Sequence, residues 1–171
     1  MMKRPSQTDY PAYYQTYVGL VPDGNLHEIL LEQQQFTNNL ISSLTDTQVD
    51  YRYAPGKWSI KEVLGHMIDT ERIMSYRLLR IARGDQTPLA GFEENFYVDH
   101  AYYEKRSMDS LLVEYRTVRS STLSLVRGLA EEAWERTGIA NDNKISASAV
   151  AYIIAGHELH HLNVLKERYL S

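Results

Sequence analysis

The chain has 171 residues, no cysteine and a formal net charge of −4 at pH 7. Without cysteine the chain forms no disulfide framework and supplies no thiolate as nucleophile or metal ligand. A slightly acidic chain lacks the basic surface that nucleic-acid binding needs, and no apolar run approaches the roughly 20 residues of a membrane span. We therefore expect one cytoplasmic domain with neither a nucleic-acid nor a membrane partner.

The first 23 residues contain tyrosine and proline and show no helical periodicity. They are predicted to form an arm that packs on the remaining domain, residues 24–171. Its expected anchors are four tyrosines, Tyr10, Tyr13, Tyr14 and Tyr17. A first helix is predicted from about Asn25 to Ser43, because large apolar residues recur there at helical spacing. The dipeptide Pro55-Gly56 indicates a turn after it.

The second helix has a clear start and a clear end. Ser59 and Glu62 fit a capping box, in which each side chain satisfies a backbone donor. The helix runs to about Arg83 and ends at Gly84, which is typical of a helix C-terminus. Residues 84–104 then form a long aromatic loop between the second and third helices, and long ordered loops are often functional. The aromatic residues of this loop are Phe92, Phe96, Tyr97, Tyr102 and Tyr103.

A third helix is predicted from Met108 to Arg127 and a last one from about Ser146 to Tyr169. Between them, a helical turn at residues 130–135 and a polar loop at residues 138–144 are expected. Four long helices without a convincing strand predict an all-α four-helix bundle. The long second connection indicates that the bundle is not a simple up-down-up-down arrangement.

Two histidines interrupt the apolar face of the last helix. On a helical wheel His161 lies about 40° from His157, and both fall within the stripe that contains Ile153 and Ile154. Imidazoles at i and i+4 stack on one helix face and can grip one metal ion. The alternative is a pair of ordinary buried histidines, each of which would need a hydrogen-bond partner in the core.

The same segment matches the H-E-x-x-H pattern of zinc peptidases, with Glu158 as the acidic residue. That interpretation is disfavoured, because no later histidine follows His161 and Glu158 points about 100° away from His157. A third ligand must then come from earlier in the chain.

His66, within the second helix, is the best candidate for the third ligand. Thr70 and Arg77 fall on the same side of this helix, so Arg77 either holds a substrate carboxylate or forms a salt bridge. Gly65 beside His66 indicates close approach of another element, or tight helix packing alone. Of the other histidines, His27 and His100 are expected to be solvated and His160 to support the ligands rather than to be one.

Two segments resemble the DinB superfamily of bacterial proteins. They are residues 53–66, Tyr-Ala-Pro-Gly-Lys-Trp-Ser-Ile-Lys-Glu-Val-Leu-Gly-His, with Asp69-Thr70-Glu71-Arg72 after them, and the closing His157-x-x-x-His161 helix. The arm and the Gly91–Asn95 loop are similar to YfiT-like members, described as metal-dependent hydrolases or bacillithiol S-transferases. The resemblance implies a four-helix bundle whose metal, usually nickel or zinc, is bound by His66, His157 and His161. Some members use low-molecular-weight thiols as cosubstrates.

Three histidines leave coordination positions open, as in catalytic rather than structural metal sites. The leading hypothesis is a metal-dependent thiol S-transferase that acts on a small-molecule substrate, with hydrolysis as a variant. The alternative is a non-enzymatic, stress-related protein that binds or senses metal.

A homodimer is also expected, because the last helix carries a second apolar strip opposite the histidines. The tyrosine arm is the alternative cover for this strip. Its residues are Tyr152, Ala155, Leu159 and Leu162.

Overall fold

Four long helices form the bundle in the computed structural model, which describes residues 3–170. The helices are α2 (Leu26–Ser42), α4 (Ile60–Ala82), α6 (Met108–Arg127) and α7 (Ala147–Val164). The last continues through a π-helical turn, Leu165–Tyr169. The predicted all-α four-helix bundle is confirmed, with helix bounds within about two residues of those expected from capping and periodicity.

Each long helix begins at a side chain that accepts a backbone hydrogen bond. Asn25, Ser59, Ser107 and Ser146 each accept from a backbone N–H in the first turn of the helix that follows. These oxygens satisfy donors that have no partner within the helix. At Ser59 the capping box predicted from the sequence is complete, since Glu62 also accepts from the Ser59 backbone N–H at 2.6 Å. This box fixes the start of the helix that carries His66.

The order of packing differs from the order along the chain. Helices α2 and α4 each pack mainly against α6 and α7, which places α2 and α4 at opposite corners of the bundle. Their connection therefore crosses the end of the bundle, and it contains a short helix, α3 (Asp46–Val49). As expected, the bundle is not a simple meander, although the connection that crosses it is the first and not the long second one, which joins the neighbouring α4 and α6. Helix α4 also lies directly beside α7.

The predicted aromatic loop contains a helix of its own, α5 (Glu94–Ala101), followed by a 3₁₀ turn, Tyr103–Lys105. Only Val98 of α5 is buried, so the apolar periodicity that identifies an amphipathic helix is absent from its sequence. The helix packs against α4. The connection thus brings a rigid element to the side of α4.

The prediction of a polar loop at residues 138–144 is wrong. Strands β1 (Thr137–Ala140) and β2 (Asn143–Ser146) form an antiparallel hairpin there. Its two turn residues, Asn141 and Asp142, have φ of 49° and 59°, the left-handed conformation that tight hairpin turns require. The strands are too short for alternation to identify them. The 3₁₀ turn Glu131–Glu135 lies where a helical turn was expected.

Residues of the N-terminal arm lie along α7. The arm contains a 3₁₀ turn, Ala12–Tyr14, and a short helix, α1 (Gln15–Val18), although its sequence shows no helical periodicity. Tyr10 is buried, whereas Tyr13 is 52% exposed. At Gly156 a Cβ atom would overlap the backbone of Tyr17, so only glycine allows α1 to approach α7 this closely.

The second apolar strip of α7 is covered from within the chain. Tyr152, Ala155 and Leu162 are buried and Leu159 is half-buried. The Arg4 guanidinium lies 5.4 Å from the centroid of the Tyr152 ring, and Gln33 on α2 donates to the Ala155 carbonyl at 3.0 Å. The arm and α2 thus supply the cover that a partner subunit was expected to provide. The homodimer itself stays a prediction.

Candidate metal centre

Three imidazoles converge where α4 faces α7. The Nε2 atom of His157 lies 3.0 Å from Nε2 of His66 and 3.1 Å from Nε2 of His161. Within residues 3–170, these are the only three histidine, aspartate or glutamate side chains grouped closely enough to hold a metal ion, with ligand atoms all within 4.8 Å of one another. The structure therefore brings together the three ligands predicted from the sequence.

The spacing of these nitrogens fits a metal site. Zinc–nitrogen bonds of about 2.0–2.1 Å in tetrahedral geometry separate the nitrogens by about 3.3 Å. The observed separations of 3.0 and 3.1 Å need only small ring movements to reach that value. Three neutral imidazoles are also a donor set that zinc and nickel accept. The residues present thus fit a divalent ion.

Aromatic neighbours hold two of the rings in place. The His66 ring lies 4.8 Å from the Trp58 ring, and the His157 ring lies 5.4 Å from the Tyr17 ring. Beside His66 in the chain, a Cβ at Gly65 would overlap the ring of Tyr103, whose hydroxyl donates to Asp69 and lies 3.1 Å from the Gly65 carbonyl oxygen. Gly65 thus allows the close approach of another element that its position suggested.

Burial keeps the three imidazoles neutral. It lowers the pKa of His66 to about 4, with a smaller contribution from the nearby His160. Burial and then the neighbouring histidines hold the pKa of His157 and of His161 well below the usual range. Since a metal binds only the unprotonated ring, the site is ready for an ion at neutral pH.

Glu94 approaches the histidines from α5. Its Oε2 atom lies 3.9 Å from Nε2 of His66, and its side chain is 55% exposed. Burial and the adjacent Glu93 raise the pKa of the Glu94 carboxyl. Glu94 was not predicted as a site residue from the sequence, because its position depends on how α5 packs against α4. The acidic pair in the Gly91–Asn95 loop was the available signal.

Two clefts open beside the histidine cluster, one lined by His157 and the other by His161. The Arg77 cleft has a volume of about 300 Å³, and its lining includes Tyr14, Thr70, Arg77, Glu94 and His157. The Trp58 cleft has a volume of about 310 Å³, and its lining includes Tyr53, Trp58, Asn95, His160 and His161. Two of the three histidines are therefore accessible from clefts, and the start of α5 contributes one residue to each cleft, Glu94 and Asn95.

The other residues considered from the sequence take different places. Thr70 and Arg77 are buried in the wall of the Arg77 cleft, and His160 lines the Trp58 cleft with its ring 5.1 Å from that of His161. His27 is half-buried at the start of α2, and His100 is exposed with Nδ1 2.8 Å from the Phe96 carbonyl. Neither belongs to the histidine cluster.

Glu158, the acidic residue of the H-E-x-x-H pattern, points into the bundle core. It accepts hydrogen bonds from Thr37, from Tyr115 at 2.6 Å and from Arg119. Arg119 is fully buried and also donates to both carboxylate oxygens of Glu71, each at 2.8 Å. Burial alone would lower the pKa of Arg119, but the two carboxylates hold it well above its usual value. Glu158 is thus engaged as a core ion-pair partner.

The fold and the three converging histidines define a four-helix bundle with a candidate catalytic metal centre. A model of the DinB superfamily matches residues 29–165. The chain therefore belongs to this superfamily. Named relatives and solved structures confirm its likeness to the YfiT-like members.

Two relatives carry names that refer to a metal. A protein of Oceanobacillus iheyensis named "putative metal-dependent hydrolase" is 25% identical over 147 residues, covering 83% of this chain and 84% of that relative. A protein of Bacillus mycoides with the same description is 25% identical over 167 residues, covering 93% and 95%.

Two solved structures share the fold. YfiT from Bacillus subtilis, described as a probable metal-dependent hydrolase with an unusual four-helix bundle topology, superposes with a TM-score of 0.75 at 17% identity, covering 90% of this chain and 95% of that one. A DinB-like protein, YjoA from Bacillus subtilis, gives a TM-score of 0.60 at 20% identity, covering 84% and 87%.

Proposed function

We propose that this protein is a metal-dependent enzyme that acts on small molecules and binds a divalent ion through His66, His157 and His161. One observation carries the proposal: three neutral imidazoles converge, and two of them, His157 and His161, each line a cleft that is open to small molecules. The names of the relatives from Oceanobacillus iheyensis and Bacillus mycoides point in the same direction.

The ion and the protein would divide the chemistry between them. When bound, a zinc or nickel ion supplies a Lewis acid that lowers the pKa of a water or thiol in an open coordination position. Glu94 is placed to accept the proton that this nucleophile gives up, because its Oε2 atom lies 3.9 Å from Nε2 of His66. Its raised pKa makes the carboxylate a stronger base than a glutamate with the ordinary pKa. Trp58 and Tyr17 limit the access of other water to the imidazoles.

The two clefts favour transfer of a group to a thiol cosubstrate. His157 lines one cleft and His161 the other, so each cleft gives a small molecule a separate route to the same ion. Hydrolysis requires only one organic substrate, and the names of the relatives favour it as the second candidate. Because the chain has no cysteine, any thiol must be supplied from outside.

Turnover by tag-free protein reconstituted with zinc or nickel tests the proposal. A panel of esters, amides, epoxides and alkyl halides would be incubated with and without cysteine or glutathione, and products followed by mass spectrometry. We expect thioether or hydrolysis products that disappear in His161→Ala and persist in His100→Ala. Glu94→Gln should keep its metal but lose roughly 100-fold in kcat, a typical effect of removing a general base.

Protein that binds about one metal ion per chain and yields no product across this panel would contradict the enzymatic proposal. It would favour the alternative, a protein that binds or senses metal without turnover.

A further inference from the structure

The Arg77 cleft contains a buried guanidinium that the fold does not neutralise. Arg77 is 3% exposed. Its Nη2 donates to the Ala90 carbonyl at 2.7 Å and its Nη1 lies 3.4 Å from the Met74 sulfur, whereas its Nε has no hydrogen-bond partner. Within residues 3–170 no carboxylate forms an ion pair with it. The salt bridge considered for Arg77 from the sequence is therefore not formed.

Arg119 shows how the same bundle treats an arginine with a structural role. It is fully buried and pairs with two carboxylates, those of Glu71 and Glu158. Burying an unpaired charge is costly, so buried charges in proteins are normally paired. The contacts of Arg77 within the chain include a carbonyl, a sulfur and the Phe92 ring at 5.9 Å, none of which is an anion. The contrast between the two arginines indicates that the anionic partner of Arg77 comes from outside the chain.

A second unsatisfied group lies on the same wall. The Thr70 hydroxyl is buried without a hydrogen-bond partner, and both Thr70 and Arg77 line the cleft that His157 also lines. The two residues are seven apart on α4, which places them on one face, two turns from each other. A hydroxyl and a guanidinium together supply hydrogen-bond donors for an oxyanion. Neither is one of the three histidines, so an oxyanion bound here leaves the metal ligands free.

We propose that the Arg77 cleft binds the carboxylate group of a small molecule, with Arg77 as the charged partner and Thr70 as a second donor. This assignment rests on the proposed function for the role of the bound molecule, which would be a substrate held with its reactive part toward the histidines. Arg77 is the only cationic side chain in the lining, and Glu94 adds negative charge. A group with a single negative charge therefore fits better than a doubly charged phosphate. A volume of about 300 Å³ suits a molecule of amino-acid or dicarboxylic-acid size.

Titration calorimetry of metal-loaded protein with succinate tests the assignment, with succinamide as its neutral counterpart. We expect succinate to bind and succinamide to bind far more weakly. Arg77→Met should weaken succinate binding roughly tenfold or more, as loss of a charge-assisted hydrogen bond implies, and Thr70→Val should weaken it to a smaller degree. The matched control is Arg72→Met on the same helix, because Arg72 is exposed and pairs with Glu114.

His161→Ala separates this inference from the proposed function. Because the carboxylate is held by Arg77, succinate should still bind to His161→Ala within a few-fold of the wild type, even though metal is lost. If the wild type binds metal and Arg77→Met binds succinate as tightly as the wild type does, this inference is overturned while the proposed function still stands. Affinity that vanishes with the metal, or inorganic phosphate that binds more tightly than succinate, would overturn it as well. Should Arg77→Met fail to fold, an unchanged affinity in Thr70→Val decides against the inference.

Discussion

At the scale of single residues, the chemistry of this protein depends on side chains that burial makes unusual. His66, His157 and His161 are kept neutral by burial, and the buried Arg77 forms no ion pair with a described carboxylate and leaves its Nε without a hydrogen-bond partner. In each case the fold bears a cost that an external ion or molecule would remove. Such groups are where binding is expected in a structure.

Removal of any one ligand should abolish most metal binding. His66→Ala, His157→Ala and His161→Ala each leave two imidazoles, and we expect metal affinity to fall by roughly 100-fold or more, because two nitrogens hold zinc much less tightly than three. Calorimetry and metal analysis of dialysed protein measure this. His27→Ala and His100→Ala serve as controls, since both residues lie outside the cluster. A His66→Ala protein that binds as tightly as wild type would disprove the site.

The stability of the metal-free protein should fall as the pH decreases from about 6.5 to about 4. The pKa of His66 is about 4 in the folded protein, against 6.5 for an ordinary histidine. Between these values the unfolded chain binds a proton that the folded chain does not, so acid favours unfolding. For His66 alone the loss is about 3 kcal/mol in the free energy of unfolding, and His157 and His161 shift in the same direction.

Urea unfolding of chelator-treated protein across this pH range measures the effect. His66→Gln should remove part of the pH dependence, whereas His100→Gln should leave it intact. Equal slopes for wild type and His66→Gln would show that His66 does not titrate as described.

How much of the site the sequence predicted depends on which contacts are local. The i, i+4 spacing and the apolar stripe led to His157 and His161, because both signals lie within one helix. His66 was predicted as the third ligand from its position on one face of the second helix. Glu94 was missed, since only the docking of α5 on α4 brings it near His66.

At the scale of elements, the long helices followed from the sequence and the short ones did not. The capping box at Ser59 places the start of α4 closely, and the predicted third helix, Met108 to Arg127, has the bounds of α6. Helix α5 buries only one side chain, that of Val98. The strands β1 and β2 span only four residues each. Their stability comes from packing against the bundle, which no local pattern records.

The contact between α1 and α7 should be sensitive to a single methyl group. In Gly156→Ala the new Cβ would overlap the Tyr17 backbone, so α1 must move away from α7. We expect a loss of about 1–3 kcal/mol in the free energy of unfolding, as overpacking usually costs. Amide exchange in residues 15–18 should also become faster, because α1 loses its close contact with α7. Exchange is measured by mass spectrometry on the intact chain.

Gly128→Ala is the control for this prediction. It makes the same change at the end of α6, where the nearest atom to the new Cβ is the Ser124 carbonyl oxygen at 3.3 Å. Unchanged exchange in residues 15–18 of Gly156→Ala would mean that the arm tolerates the methyl group without moving.

At the scale of the whole molecule, one buried ion-pair cluster connects all four long helices. Arg119 on α6 pairs with Glu71 on α4 and Glu158 on α7, and it donates to the Leu30 carbonyl of α2 at 2.9 Å. The sequence held a signal for this cluster, since Arg119 falls on the same helix face as the buried Leu112, Tyr115 and Val126. It could not indicate the partners, which lie 48 and 39 positions away along the chain.

The cluster makes Glu158 a residue for stability rather than for catalysis, and substitutions can distinguish the two roles. Arg119→Met leaves two carboxylates buried without a cation, and we expect a loss of about 3–5 kcal/mol in the free energy of unfolding, the usual cost of breaking a buried ion pair. Glu158→Gln keeps the shape and leaves Arg119 paired with Glu71, so a smaller loss of about 1–3 kcal/mol follows.

In Glu158→Gln, metal affinity and kcat should stay within a few-fold of the wild type, since His157 and His161 keep their places on α7 and Glu158 faces the core, not the clefts. Urea unfolding, metal titration and turnover of the same preparation give the three readings. In a zinc peptidase of the H-E-x-x-H type, the same substitution would remove the general base and abolish turnover while leaving stability nearly unchanged. A stable and inactive Glu158→Gln protein would therefore overturn the structural role assigned to this glutamate.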